Sequence, residues 1–156
     1  MEKATFAAGC FWGVQLNFDQ LDGVLASRVG YIGGHMDNPD YKSVCSGTTR
    51  HAEAVEVDFD PAVISYETLV EKFWEFHDPT TLDRQGPDVG SQYRSEIFYH
   101  SEDQKTIAEN SKQALDQSGK WANPVVTAIS SAPTFWLAED YHQDYLKKRG
   151  ITIACH

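Results

Sequence analysis

The sequence has no run approaching the roughly 20 consecutive apolar residues that cross a bilayer. Met1-Glu2-Lys3 leads straight into Ala4-Thr5-Phe6-Ala7-Ala8 without a long apolar signal region. Positive charge is short: 13 Lys and Arg stand against 23 Asp and Glu, a formal net charge of -10. Such a surface repels phosphate backbones and anionic lipid, so neither nucleic acid nor membrane is an expected partner. The one basic cluster, Lys147-Lys148-Arg149, follows an apolar stretch near a chain end and reads as a solvated last helical turn complementing its dipole. Cysteine is scarce too. Three cysteines at irregular spacing with no CxxC pair fit neither a secreted disulfide framework nor a zinc module. A cytoplasmic chain is expected, and individual thiol chemistry is the option that remains.

A chain of 156 residues has the size of one domain. At that length roughly two thirds of the unfolded surface can be buried, so stability requires no disulfide or structural metal and does not explain the cysteines. Residues 1–156 are expected to form one domain, with 149–156 a mobile tail carrying Cys155.

Thr5 to Ala8 reads as a short strand broken at Gly9, after which Phe11 to Leu21 carries a helical pattern that Cys10 opens. Val24 to Ile32 is a second strand ended by Gly33-Gly34. Ala54 to Phe59 alternates, with Val55, Val57 and Phe59 inward and Glu56 and Asp58 outward, as a half-buried strand does. Ser65 starts an amphipathic helix through Leu69, Val70, Phe73, Trp74 and Phe76 to His77, where Asp78-Pro79 stops it. Thr80 to Gln92 is long, polar and a candidate functional loop. A strand over Tyr93–His100, a helix over Glu102–Gln117, a strand over Pro124–Ile129 and a last helix over Leu137–Lys148 complete the order. Strands interleaved with helices, several of them joined by hairpin-length connections, favour an α+β two-layer sandwich with a mixed, mostly antiparallel sheet.

A cysteine directly after a glycine at a strand-to-helix junction meets unpaired backbone N–H groups and a helix dipole, which are expected to lower its pKa. The bland alternative is a small buried residue at a tight packing point. Gly9-Cys10-Phe11-Trp12-Gly13 sets two large aromatics beside the thiol between two glycines. That pentapeptide resembles the signature of the peptide-methionine (S)-S-oxide reductases, the A-type methionine sulfoxide reductases. The resemblance runs on in order through Gly30-Tyr31-Ile32-Gly33-Gly34, Tyr41 to Gly47, His51-Ala52-Glu53-Ala54-Val55, Asp60-Pro61, Phe73-Trp74, His77-Asp78-Pro79, Arg84-Gln85-Gly86, Asp88 to Ser95 and Ala138 to Gln143.

The resemblance implies a ferredoxin-like core, Cys10 as the catalytic thiol, and Phe11 and Trp12 as the wall that receives the substrate's ε-methyl group. Glu53 matches the active-site glutamate that donates to the sulfoxide oxygen, although a strand-edge Glu taken alone is a solvated surface residue. The role demands a carboxyl buried enough to stay protonated at neutral pH. Tyr41 and Tyr93 match oxygen-directed donors, and Asp88 an organiser of loop and water structure. The implied substrate is methionine S-sulfoxide, free or in oxidised proteins, handled by a monomer with no bound cofactor. Thioredoxin is the implied dithiol reductant, and the implied context is repair after oxidative stress.

Attack by Cys10 would leave a sulfenic acid for a second thiol to resolve. Cys155, in a glycine-preceded tail, is the expected resolving residue, with Cys45 as the alternative. Cys45 otherwise reads as a small buried residue. His51, His77 and His142 match no zinc spacing, so no metal is assigned, and His142 is expected at the surface. Arg50, where the family commonly has glycine, and His35-Met36, where an aromatic is usual, depart from the pattern near the expected pocket. Two rivals stay open: a non-enzymatic thiol sensor or peptide binder, and a different cysteine enzyme such as an acyl transferase with a spatial Cys-His pair.

Overall fold

A computed structural model describes residues 1–151. Its centre is a six-stranded sheet built from β1 (Glu2–Ala8), β2 (Val24–Ile32), β3 (Ala52–Phe59), β6 (Ser95–Tyr99), β7 (Ala128–Ser131) and β8 (Trp136–Leu137), in the order β7-β6-β1-β3-β2-β8. Every pairing is antiparallel except β6 with β7, which is parallel. Between these strands run α1 (Phe11–Asp19), α2 (Tyr41–Cys45), α3 (Tyr66–Glu75), a two-stranded hairpin of β4 (Arg84–Gln85) and β5 (Asp88–Val89), α4 (Glu102–Gln117) and α5 (Tyr145–Lys148).

Strand periodicity decides which side chains meet the helices. Phe6 of β1, Val29 and Tyr31 of β2, Val55, Val57 and Phe59 of β3 and Ile97 of β6 join Phe11, Val14 and Phe18 of α1, Leu69, Val70 and Phe73 of α3 and Ala108 of α4 in one apolar core. Helices on one face of a mixed sheet make the expected α+β sandwich. On the opposite face Ala7, Ile32, Ala52, Ala54 and Phe98 pack under Ala132 and Phe135. There Arg28 reaches Glu56 at 2.7 Å and Asp58 at 2.9 Å.

The expected alternation along β3 is present, but the strand begins at Ala52 and both its faces are covered. A central position with ion pairs over the outward carboxylates explains why it is not half-buried. Ser65 caps α3 by accepting from the Thr68 amide, and Ser101 caps α4 by accepting from Gln104.

The C-terminal part departs most from expectation. The strand expected over Pro124–Ile129 lies at Ala128–Ser131, and Tyr93 closes a 3-10 turn over Ser91–Tyr93 before β6. No continuous helix spans Leu137–Lys148. That segment is β8, a 3-10 turn over Asp140–His142, and then α5. Asp144 sits in the left-handed region with φ 55°, which interrupts a helix. The Gln143 side chain accepts from the Val29 amide and donates to the Val29 carbonyl, both at 2.9 Å, and so satisfies the edge of β2. At the start of the tail, Arg149 lies over the Tyr145 ring at 3.8 Å and the Ile151 amide donates to Leu146. Cys155, the expected resolving thiol, lies outside the described residues.

Candidate active site

The turn between β1 and α1 creates the site. Gly9 has φ 95°, and a Cβ there would sit 2.8 Å from the Gln85 side chain, so the chain can reverse under the β4–β5 hairpin only through glycine. Cys10 follows at the N-cap of α1, partly exposed. The Trp12 and Gly13 amides face its sulfur and favour the thiolate, as the sequence suggests. They do not prevail. Burial first, and then the Glu53 and Asp88 carboxyls, push the thiol up to about 12. The expected lowering is thus reversed in the resting site, because acids and apolar rings outnumber the helix amides around the sulfur.

Glu53 is the second element. It is 1% exposed on β3, opposite Tyr31 of β2. One carboxyl oxygen accepts the Phe11 amide at 3.2 Å, and the other is buried with no partner among the described residues. Burial raises its pKa to about 8 against the opposing Phe11 hydrogen bond, with Asp88 adding to the rise. The group is therefore a neutral acid at pH 7, and while neutral it does not repel a thiolate on Cys10.

Aromatic rings surround this pair. Phe11 is buried, 5.8 Å from Tyr31 between ring centres and 5.1 Å from His142, so it backs the site from the core. Trp12 is half-buried. It stacks on Tyr145 at 3.8 Å and donates its indole N–H to His142 Nδ1 at 2.9 Å. Tyr41 and Tyr93 are half-buried, and burial raises both phenols so that they stay donors; the Glu53 charge adds to each rise. Asp88 sits in β5, where its charge reaches Cys10, Glu53 and Tyr93. The long polar segment thus carries this candidate residue on a hairpin rather than on irregular chain.

Two residues differ from expectation. Cys45 is exposed rather than buried, at the end of α2 with the Tyr41 hydroxyl on its sulfur. His142 is 0% exposed rather than on the surface, because the 3-10 turn rolls it inward among Phe11, Trp12 and Tyr41. Glu139 was not singled out from sequence. It accepts the Tyr31 hydroxyl at 2.9 Å and the Tyr41 amide at 3.0 Å, tying β2 and α2 to the chain end. Its place inside the matched Ala138 to Gln143 run is the available signal.

His51 accepts from the Gly34 amide through Nδ1 and donates through Nε2 to the Met36 carbonyl, which leaves it no lone pair for a metal. Among the described residues no three His, Cys, Asp or Glu side chains group as metal ligands, and no helix is long and apolar enough to cross a membrane. A cavity of about 550 Å³ lined by Lys3, Phe59, Tyr66 and His100 lies at the start of β1, whereas Cys10 follows the end of that strand. It contains none of these groups.

A strand-to-helix thiol beside a neutral buried acid and an aromatic wall defines a thiol-based site on an α+β fold, suited to a ligand with one apolar and one hydrogen-bond-accepting group. A family model described as peptide methionine sulfoxide reductase matches residues 2–156. Peptide methionine sulfoxide reductase MsrA of Methanothermobacter thermautotrophicus is 59% identical over 147 residues, 94% of this chain and 87% of that protein. Crystal structures give the same picture. Mxr1 from Saccharomyces cerevisiae in reduced form superposes with TM-score 0.90 at 38% identity, covering 99% of this chain and 88% of that one. Mxr1 in complex with Trx2 superposes with TM-score 0.65 at 27% identity over 92% and 84%. The chain belongs to the peptide methionine sulfoxide reductase family.

Proposed function

We propose that the chain reduces the S epimer of methionine sulfoxide, free or in oxidised proteins, to methionine, with Cys10 as nucleophile. The observation that carries the assignment is the Glu53 carboxyl, buried beside the thiol, neutral to about pH 8 and with one oxygen unpartnered among the described residues. A sulfoxide oxygen needs a proton donor, and a carboxylic acid kept protonated by burial is such a donor.

In the first step the Cys10 sulfur bonds to the sulfoxide sulfur. Glu53 gives its proton to the sulfoxide oxygen, and the thiol proton passes to Glu53. The hydroxyl then transfers to Cys10 as the new S–S bond breaks, so the sulfoxide is reduced to the thioether and Cys10 is oxidised to the sulfenic acid. Tyr41 and Tyr93 donate to the same oxygen, Asp88 orders the hairpin, and Trp12 backed by Phe11 holds the methyl group. A second thiol attacks the sulfenic acid, forms a disulfide and expels water. We assign that role to Cys155, with exposed Cys45 as the alternative. A dithiol protein of the thioredoxin class then reduces the disulfide by exchange, a reading supported by the relative crystallised with Trx2. One reductase domain over residues 1–156, working in the reducing cytoplasm, fits this chemistry.

The test is turnover with each epimer in the presence of thioredoxin, its reductase and NADPH. Methionine release from the S epimer alone, lost in Cys10→Ser, is the expected result. No methionine from either epimer overturns the assignment. The same assay in Cys155→Ser and Cys45→Ser identifies the resolving thiol as the one whose loss stops recycling.

A further inference from the structure

His142 spends its polar chemistry in an unusual way. Its Nδ1 accepts the Trp12 indole N–H at 2.9 Å, which places the ring proton on Nε2. Nε2 is buried and has no partner among the described residues. The ring is wholly buried among aromatics, with centres 4.5 Å from Tyr41, 5.1 Å from Phe11 and 5.6 Å from Trp12. A residue chosen only to fill this space would be apolar, since an apolar side chain strands no N–H there. Burial lowers the histidine's pKa, and Nδ1 can accept only while the imidazole is neutral.

Trp12 itself is held from two directions. Tyr145 stacks on one indole face with the planes 9° apart, and His142 fixes the indole edge. A stack leaves rotation and sliding in the plane nearly free, whereas a hydrogen bond at the ring nitrogen restricts both.

We propose that His142 is a positioning residue that fixes the Trp12 indole so that its free face stands as the methyl-binding wall beside Cys10. This rests on the reading of Trp12 as that wall. His142 touches no reacting atom. Its effect is on how tightly the sulfoxide is held.

The test compares His142→Leu, which removes the acceptor, with His142→Asn, whose Oδ1 falls near the position of Nδ1. Single-turnover methionine release is measured against concentration of methionine S-sulfoxide, with Trp12→Leu alongside. Loss of ground-state binding weakens apparent affinity without slowing the saturated rate, so about a tenfold weakening is expected in His142→Leu, with Asn restoring it to within about threefold. In wild-type protein the Trp12 indole N–H, assigned in a proton–nitrogen correlation spectrum through Trp12→Phe, is expected to exchange slowly with solvent. Equal impairment of the Leu and Asn variants, or an indole N–H that exchanges like free indole in wild type, overturns the proposal. Impairment in Trp12→Leu with none in His142→Leu overturns it alone, whereas no impairment in Trp12→Leu overturns the wall reading and this inference with it.

Discussion

Glu53 accepts the amide of Phe11, the residue after the thiol, on one carboxyl oxygen at 3.2 Å, while its other oxygen is buried with no partner among the described residues. The acid is thereby fixed to the start of α1 by the backbone of the turn that carries the Cys10 thiol. Its free oxygen is left to act on whatever enters.

Two opposite effects of Glu53→Gln follow. Catalysis is expected to fall by about 100-fold, the scale of a lost general acid. The wild-type rate is expected to drop as pH rises through about 8, where Glu53 ionises, and the Gln variant is expected to lack that limb. Stability moves the other way. A folded value near 8, raised from 4.5, means the Glu53 contribution is complete below about 4.5 and is lost as pH rises through about 8. The slope approaches about 1.4 kcal/mol per pH unit between those values. Urea denaturation at pH 5 and pH 8.5 is expected to show wild type losing stability relative to Glu53→Gln.

A thiol pushed up to about 12 is protonated in the resting protein. Alkylation of Cys10 by iodoacetamide is therefore expected to be slow at pH 7 and to keep rising with pH past 9 with no plateau. Above pH 8, Glu53→Gln is expected to react faster than wild type, since the glutamate charge is then gone from beside the sulfur. Peptide mapping of the modified cysteine separates Cys10 from exposed Cys45.

Glu139 holds the Tyr31 hydroxyl and the Tyr41 amide together. Glu139→Ala strands both donors in a half-buried place, so a loss of about 1–2 kcal/mol is expected in chemical denaturation. Displacement of Tyr41 is expected to raise KM for methionine sulfoxide in the same variant.

Arg50 adopts φ 62°, a left-handed conformation that an L side chain resists. Its backbone carbonyl accepts from Arg94 at 2.9 Å. Arg50→Gly is expected to raise stability by about 0.5–1 kcal/mol in thermal melts, since relief of the left-handed strain outweighs the added freedom of the unfolded chain.

Helices with strong local signals were legible: α4 lies where its composition places it, and α3 starts at the Ser65 cap. The β2 strand runs over the expected Val24–Ile32. Glu53 shares its face with Val55, Val57 and Phe59, so the alternation already pointed it at the helix layer, although its residue type suggested solvent. The burial of His142 and the broken last helix were not legible, because both depend on contacts of Gln143, Asp144 and Trp12 with distant parts of the chain. The direction of the Cys10 shift was hidden for a similar reason. Helix amides follow from local sequence, whereas Glu53 and Asp88 reach the thiol only through the fold.

In the proposed reaction Cys10 takes the oxygen from methionine sulfoxide with Glu53 as the acid. The most direct measurement mixes reduced Cys45→Ser/Cys155→Ser protein with excess methionine S-sulfoxide without external reductant, and follows methionine release and intact mass with dimedone present. One methionine per chain and a single dimedone adduct on Cys10 are predicted, with both lost in the further Cys10→Ser variant. Methionine formed without Cys10, or released with no oxidation of that residue, would contradict the account.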